Sequence, residues 1–393
     1  MSAWPTKSLD EIFDIARGGS PRPIDKYITD DAHGVNWIMI SDASASSKYI
    51  RTTKKRIIQA GVSSSRTVKP GDFLLTNSMS FGRPYILKTH GCIHDGWLVL
   101  SPKSNDVDSD YFYHLLGSPA IYGEFERLAA GATVKNLNID LVKSVRVTLP
   151  SLDEQKRIAA ILDQADELRR KRQRAIDRLN QLGQAIFHDM FGDSSKPGGW
   201  SCPTQDLRSV CDKVTDGTHQ SPKWAESGIP FIFVSNVRNR KIDFETKKFV
   251  SEDEYKGLTK NAKIEAGDVL YTCVGSYGHT AVVNGETPFV FQRHIAHLKP
   301  LREAIDSTFL SWALETPALK RQADRTATGI AQKTVTLKAL KSFEIPLPSI
   351  ERQRIFARTM AELEAELAAM QLQFNAQNAL MAALQHRAFQ GEL

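Results

Sequence analysis

Residues 149–191 read LPSLDEQKRIAAILDQADELRRKRQRAIDRLNQLGQAIFHDMF, and residues 347–393 read LPSIERQRIFARTMAELEAELAAMQLQFNAQNALMAALQHRAFQGEL. Each stretch opens on Leu-Pro-Ser, a hydrophobic residue, two polar residues and a glutamine. Pro150 and Pro348 suit the approach to a helix but not its interior, and Ser151 and Ser349 are good N-cap residues. Beyond these serines both stretches are free of proline and rich in Ala, Leu and Gln. In the first stretch apolar residues step by three and four through Ile158, Ile161, Leu162, Ala165, Leu168, Ala175, Ile176, Leu179, Leu182 and Ile186. In the second they step through Leu363, Leu367, Met370, Phe374, Met381, Leu384 and Ala388. That spacing is the seam of a coiled coil. Arms of roughly 40 residues would each be about 60 Å long at 1.5 Å per residue. Neither stripe can stay exposed in a soluble protein, so each arm is expected to partner the other. The alternative is two unrelated amphipathic helices packed on separate domains.

Outward from the arms the whole chain repeats. Between residues 131–159 and 329–357 the register is a constant 198 without a gap. Nine of the 29 positions are identical: Gly131/Gly329, Lys135/Lys333, Lys143/Lys341, Ser144/Ser342, Leu149/Leu347, Pro150/Pro348, Ser151/Ser349, Gln155/Gln353 and Ala159/Ala357. Upstream, GVNWIMISD from Gly34 matches GIPFIFVSN from Gly228. GDFLLTNSMSFG from Gly71 matches GDVLYTCVGSYG from Gly267, and SDYFYHLLGSPA from Ser109 matches STFLSWALETPA from Ser307. The order is domain, arm, domain, arm, punctuated by the Leu-Pro-Ser junctions and by a Gly/Pro/Ser linker at 192–200. The expected division is a domain at 1–150, an arm at 151–192, linker and second domain at 193–348, and a second arm at 349–393. Strands are expected at 38–40, 73–75, 145–149, 231–234, 269–273 and 343–347, with short helices starting at 110–116 and 308–314. The fold class is therefore α+β: two mixed α/β domains in pseudo-twofold repeat, separated by two long antiparallel coiled-coil helices. The closing residues Phe187 and Phe389 differ by 202 rather than 198, so the second arm carries four extra residues, a stutter in the supercoil.

At 393 residues the chain is long enough for more than one core, and 41% hydrophobic with 24% charged residues describes an ordinary soluble protein. No apolar run approaches a membrane span, and MSAWPTKSLDE lacks a signal peptide's apolar core, so a cytoplasmic location is expected. The four cysteines form no CxxC pair, which speaks against a disulfide frame or a zinc site. A balance of 51 basic to 45 acidic residues permits a polyanionic partner without requiring one.

The two Leu-Pro-Ser junctions, the AFQGEL ending, the paired GDFLLTNSMSFG and GDVLYTCVGSYG segments and QRHIAHL from Gln292 together resemble a specificity subunit of a Type I restriction–modification system, over the whole chain. The resemblance implies two target-recognition domains, each reading one half of a bipartite, asymmetric double-stranded DNA site in the major groove. It also implies two antiparallel helices that set the gap between the halves. Partners would be two modification subunits that carry S-adenosylmethionine and methylate adenine, and restriction subunits that use ATP and Mg. No cofactor is expected on this chain, which would have no catalytic role. The first domain has CIHDGWLVL where the second has FQRHIAHL, so the two are expected to read different sequences. With B-DNA rising about 3.4 Å per base pair, arms of this length imply a spacer of several pairs in a site of roughly 13 to 15.

The residues themselves point the same way. There is no GxxxxGK[ST] phosphate loop, no GxGxxG turn and no Asn-Pro-Pro-aromatic stretch for a flipped adenine. Glu254-Tyr255-Lys256 resembles part of a nuclease motif but has no Pro-Asp before it. His294 and His297, three apart on a strand, would point to opposite faces and could not share a metal. Four pairs of loops mix glycine with small hydroxyls and amide or basic side chains, as DNA contacts require. Residues 17–23 and 215–222 offer Ser20, Arg22, Thr218 and His219. The ends of the first strands offer Ser41, Asp42, Ser235 and Asn236. A third pair offers Asn77, Ser78, Ser80 and Arg83 against Ser276, Tyr277 and His279, and a fourth Lys135 and Asn136 against Lys333 and Thr334. Generic turns would use the same residue types. The mid-arm run Arg169, Arg170, Lys171, Arg172, Arg174 and Arg178 reads equally as a solvated helix face or as a contact for DNA backbone or a modification subunit. A self-contained methyltransferase or nuclease, and a protein-binding coiled-coil scaffold, are the competing classes.

Overall fold

The computed structural model describes residues 4–44, 48–77, 82–129, 137–196, 198–260, 263–330 and 332–393. The chain divides into two compact units, residues 1–174 with 371–393, and residues 175–370. The division passes through both arms, so each unit is a globular domain together with the parts of the arms that dock on it.

Each domain is built on the same plan. In the first, an antiparallel sheet has the order Phe13–Arg17, Trp97–Pro102, Phe73–Thr76, Pro84–Leu87, with Tyr49–Ile50 added in parallel at the edge. In the second the order is Cys211–Asp216, Ile295–Pro300, Val269–Thr272, Thr280–Val282. A second sheet runs Ile28–Thr29, Lys55–Ile57, Val35–Ile38, Gly91–Ile93, Arg66–Val68 in the first domain and Trp224–Ala225, Phe249–Val250, Ile229–Ile232, Val290–Phe291 in the second. A two-stranded ribbon joins the start of each domain to its end: Thr6–Ser8 with Arg146–Thr148, and Thr204–Asp206 with Glu344–Pro346. The central strands Phe73–Thr76 and Val269–Thr272 are buried at every position, which explains why they read as unbroken apolar runs rather than alternating ones. The expected strand at 38–40 ends at Ile38, and Ile40–Ser44 forms one turn of helix. In the repeat Val234–Asn236 forms a 3₁₀ turn.

The arms are the helices Leu152–Phe191 and Ile350–Gln390. Their duplicated glutamine is a lock. Gln155 is fully buried; its Oε1 accepts from Asp108 N at 2.8 Å, and its Nε2 donates to Asp106 O and Pro150 O, both at 2.9 Å. Gln353 repeats the pattern with Asp306 N at 2.9 Å, Ala304 O at 3.2 Å and Pro348 O at 2.9 Å. Asp108 and Asp306 in turn cap the helices Ser109–Leu116 and Ser307–Leu314. Each lock ties the arm's first turn to a capped domain helix with every polar atom paired, as a buried amide requires.

Within each unit the two arms run antiparallel. In the first, Arg157 Nη2 donates to Leu393 O at 2.8 Å and Arg172 Nε to Gln377 Oε1 at 3.1 Å. In the second, Arg352 donates to Met190 O, and the rings of Phe187 and Phe356 meet edge to face at 5.2 Å. Ile158, Leu162 and Ala388 are buried in the first unit's core, with Met381 and Leu384 packed against it; Ile186 and Leu363 pack on the second unit's core. Leu179, Leu367, Met370 and Phe374 are half-buried, while Leu168 is 58% exposed. The seam read from the heptads is thus corrected at Leu168 and at Leu182, which is also exposed: burial concentrates where each arm meets a domain. The four-residue offset holds in the packing. Phe389 stacks edge-on against Tyr111 at 5.6 Å and Phe187 lies on Phe309 at 5.6 Å, and 111 and 309 are related by 198.

Candidate nucleic-acid interface

In each domain three loops meet at one end of the antiparallel sheet. In the first, Gly18 N donates to Trp97 O (2.9 Å) and Gly19 N to Ile93 O (3.1 Å), which lays residues 18–22 over the 93–97 turn. A Cβ on Gly18 would sit 1.9 Å from His94 O, so only glycine allows this approach. Asn77 closes the third side, its N donating to Gly96 O at 3.1 Å and its O accepting from Leu137 N at 3.0 Å. The second domain repeats these bonds: Gly217 N to Ile295 O (3.3 Å), Thr218 N to Phe291 O (3.1 Å), Cys273 N to His294 O (2.8 Å) and Val335 N to Cys273 O (2.8 Å). A Cβ on Gly217 would meet Phe291 O at 2.1 Å.

The side chains on these edges divide into two groups. Ser20 Oγ donates to Asp95 Oδ1 at 3.1 Å and the exposed Arg22 reaches Asp95 Oδ2 at 3.3 Å. Arg83 is exposed beside the Tyr85 ring. In the second domain His219, Ser235, Ser276 and Lys333 are exposed, and Thr218, His279 and Thr334 are half-buried. Burial, together with the Arg238 charge, holds the His279 imidazole below its usual pKa, so it stands neutral. Ser41 is exposed on its helical turn. His219 also pairs with Asp216 at 2.9 Å and the Thr218 hydroxyl donates to Gln220 O at 3.0 Å, but all of these residues keep part of their surface open at the edge.

Four others do not fit the expectation. Asp42 is buried, its Oδ2 accepting from Met39 N at 2.9 Å and its Oδ1 from Lys54 N at 3.3 Å. Asn236 is buried in the matching place, accepting from Phe233 N at 3.0 Å and donating to Asp243 O at 3.0 Å and Glu245 O at 3.1 Å. Both side chains cap the turn that comes after the strand and are spent there. Asn77 is buried with Nδ2 donating to Asp95 O at 3.0 Å, a brace for the loop. Tyr277 is buried in the domain core; its hydroxyl donates to Asp324 at 2.6 Å, which holds the phenol above its ordinary pKa. Ser78, Ser80, Lys135 and Asn136 lie outside the described residues.

Sequence reasoning also missed residues that share these edges: Asp95, Arg293 and the fully exposed Ile330. His297 is buried and bonds Asp268 Oδ2 through Nε2 at 2.7 Å, a structural role. Among the described residues no cluster of three His, Cys, Asp or Glu could hold a metal, and no helix is long and apolar enough to cross a membrane. Most of the mid-arm basic run is already paired. Arg169 and Arg170 hold Asp166 at 2.7 and 2.5 Å, Lys171 holds Glu167 at 2.8 Å, and Arg172 binds Gln373 and Gln377. Arg174 and Arg178 are exposed.

Comparison with known proteins fits this geometry. The family model described as "Type I restriction modification DNA specificity domain" matches residues 1–178 and again 204–376. The chain belongs to this family and carries its domain twice. It is 23% identical over 420 residues to the Type I restriction enzyme EcoBI specificity subunit of Escherichia coli, covering 100% of this chain and 86% of that relative. It is 22% identical over 336 residues to the MjaVIII specificity subunit of Methanocaldococcus jannaschii, covering 81% and 76%. In fold it resembles a chain from a solved type I R-M system structure concerned with complex assembly and conformational transition (TM-score 0.61, 19% identity, 99% of this chain and 98% of that one). It also resembles the S subunit from M. genitalium (TM-score 0.55, 17% identity, 98% and 96%). The matched family is one of DNA recognition, in keeping with a non-catalytic role.

Proposed function

We propose that this chain is the sequence-reading component of a cytoplasmic type I restriction–modification complex, each domain reading one half of a split, asymmetric DNA site. The arms would set the number of base pairs between halves and scaffold two modification subunits. S-adenosylmethionine would sit on those subunits, and ATP with Mg on restriction subunits. The observation that carries the reading is the recognition edge built twice from the same backbone bonds but with different side chains at matching places. One reader duplicated and then diverged is what an asymmetric two-part site needs. Ser20, Arg22, Ser41, Arg83, Thr218, His219, Ser235, Ser276, His279, Lys333 and Thr334 are the described residues offered for contact.

The test is to co-express the chain with its modification subunits and sequence the methylated DNA at single-molecule resolution. A split adenine-methylated motif is expected, and exchanging residues 1–150 for a relative's domain should alter one half only. Changes in both halves would refute independent readers. Shortening the second arm by four residues should change the gap while both halves stay readable. Because Leu363 packs on the second domain's core, the deletion is placed after it, at residues 365–368. An unchanged gap would remove the arms from the measurement of spacing.

A further inference from the structure

The loop between the last two strands of each recognition edge makes the same turn twice. Trp97 N donates to His94 O at 3.1 Å, and Ile295 N donates to Gln292 O at 3.1 Å. The bonds from Gly18, Gly19 and Asn77 onto the first turn match those from Gly217, Thr218 and Cys273 onto the second. The second residue of the turn is Asp95 in the first domain and Arg293 in the second. One backbone position on one recognition surface therefore carries opposite charges in the two copies.

Asp95 is held firmly. Its backbone carbonyl accepts from Arg17 Nε and Asn77 Nδ2, both at 3.0 Å, and its carboxylate takes the Ser20 hydroxyl at 3.1 Å. Although partial burial works against it, the Ser20 hydrogen bond keeps the carboxyl below its ordinary pKa, so it is ionised. The side chain is still 47% exposed. Its partner Arg22 is 80% exposed and able to turn to a phosphate. A carboxylate has acceptors only. It gains nothing from phosphates or from the N7 and O6 atoms of purines. In the major groove the donors left for it are the exocyclic amino groups of adenine and cytosine. Arg293 is exposed, with its own N–H fixed to Thr218 O at 3.1 Å. A guanidinium presented that way matches the paired acceptors of guanine.

We propose that Asp95 and Arg293 are matching base readers of opposite polarity: Asp95 accepts from the amino group of an adenine or cytosine in one half-site, and Arg293 donates to a guanine in the other. This rests on the reading given above, that each domain contacts one half of a split site.

The test uses the full chain assembled with its modification subunits. Binding is measured at fixed salt to duplexes carrying the methylated motif with each base pair changed singly. The wild-type complex is expected to discriminate roughly tenfold or more at one amino-bearing position of the first domain's half-site and at one guanine of the other. Asp95→Ala removes discrimination at that single pair and leaves the rest. Asp95→Asn, which can keep the Ser20 and loop contacts, retains an adenine but turns a preference for cytosine toward adenine. Arg293→Ala flattens the choice at one guanine of the other half only. Base preferences unchanged at every pair in both alanine variants, or a uniform loss across all sequences, would overturn the assignment. If the wild-type complex methylates no split motif, the parent reading fails instead, which separates the two outcomes.

Discussion

In the first domain His114, on the helix Ser109–Leu116, bonds Asp163 of the first arm at 2.7 Å, and Gln385 of the second arm donates to His114 O at 3.5 Å. In the second domain the matching helix carries Trp312 at that place, and the arm residue matching Gln385 is Gly183. A Cβ on Gly183 would lie 2.4 Å from Trp312 Cη2. Volume has moved from arm to domain helix. The ion pair beside the helix has moved too. Lys48 reaches from the first domain to Asp163 on the arm at 2.5 Å, whereas Arg240 pairs with Glu315 inside the second domain at 2.5 Å and stacks on Trp312 at 3.7 Å. The copies keep the backbone lock of Gln155 and Gln353 and differ in what fills the space around it. Packing needs complementary volume, not a particular residue, so paired changes are tolerated where single ones are not.

A second contrast should give the largest effect. Asp72 and Asp268 are buried equivalents, each accepting a backbone N–H at 2.8 Å from the turn before the strand. Asp268 also receives His297 at 2.7 Å and Lys299 at 3.0 Å, while Asp72 Oδ1 has no partner. Asp268→Ala strands a buried histidine and should cost about 3 kcal/mol or more. Asp72→Ala removes one amide contact and should cost about 1 kcal/mol. Urea unfolding of each variant, with hydrogen exchange to say which unit opens, measures both. Equal losses would show that the His297 pair adds nothing.

The features legible in the sequence are those that repeat. Proline before each arm, the N-cap serine, the duplicated glutamine and the 198-residue register all survive duplication because both copies need the same backbone geometry. The seam misled at Leu168 and Leu182, since heptad spacing reports an apolar stripe but not how much of it finds a partner. Asp42, Asn77 and Asn236 misled for another reason. Short amide and carboxylate side chains at a strand end serve equally well to cap a turn or to read a base, and only the position of Met39, Lys54, Asp95 or Phe233 decides. Gly183 and Trp312 could not be paired from sequence, because 129 residues separate them and the compensation lies in space.

The glycine yields the sharper test of compensation. Gly183→Ala would by helix propensity alone stabilise the arm by about 1 kcal/mol. The Trp312 ring is wedged between Arg240 and Phe356 and cannot withdraw. Net destabilisation of about 1–2 kcal/mol is therefore expected. In a Trp312→His background, the first domain's solution, the same substitution should turn neutral or stabilising. Thermal unfolding of the four proteins closes the cycle, and a sign that does not change would break the idea of exchanged volume.

The smallest expected difference is in acid. Burial raises the Asp163 carboxyl, but hydrogen bonds from His114 and Lys48 outweigh it and hold the folded pKa below the ordinary value. Burial likewise works to raise the Asp268 carboxyl, and the bonds from His297 and the Glu265 amide overcome it and hold that pKa down. A depressed folded pKa means stabilisation fully present above the unfolded value near 4 and lost as pH falls through the lower folded one. Both units should therefore weaken below about pH 4. Asp163 is 40% exposed, so solvent screens its bonds and its share should stay below about 1 kcal/mol; Asp268 is 5% exposed and should contribute more. Comparing unfolding at pH 6 and pH 3.5 in Asp163→Asn and Asp268→Asn tests this. The acid penalty should shrink more in the second variant, and the opposite order would mean that the arm contact, rather than the buried histidine pair, dominates the acid response.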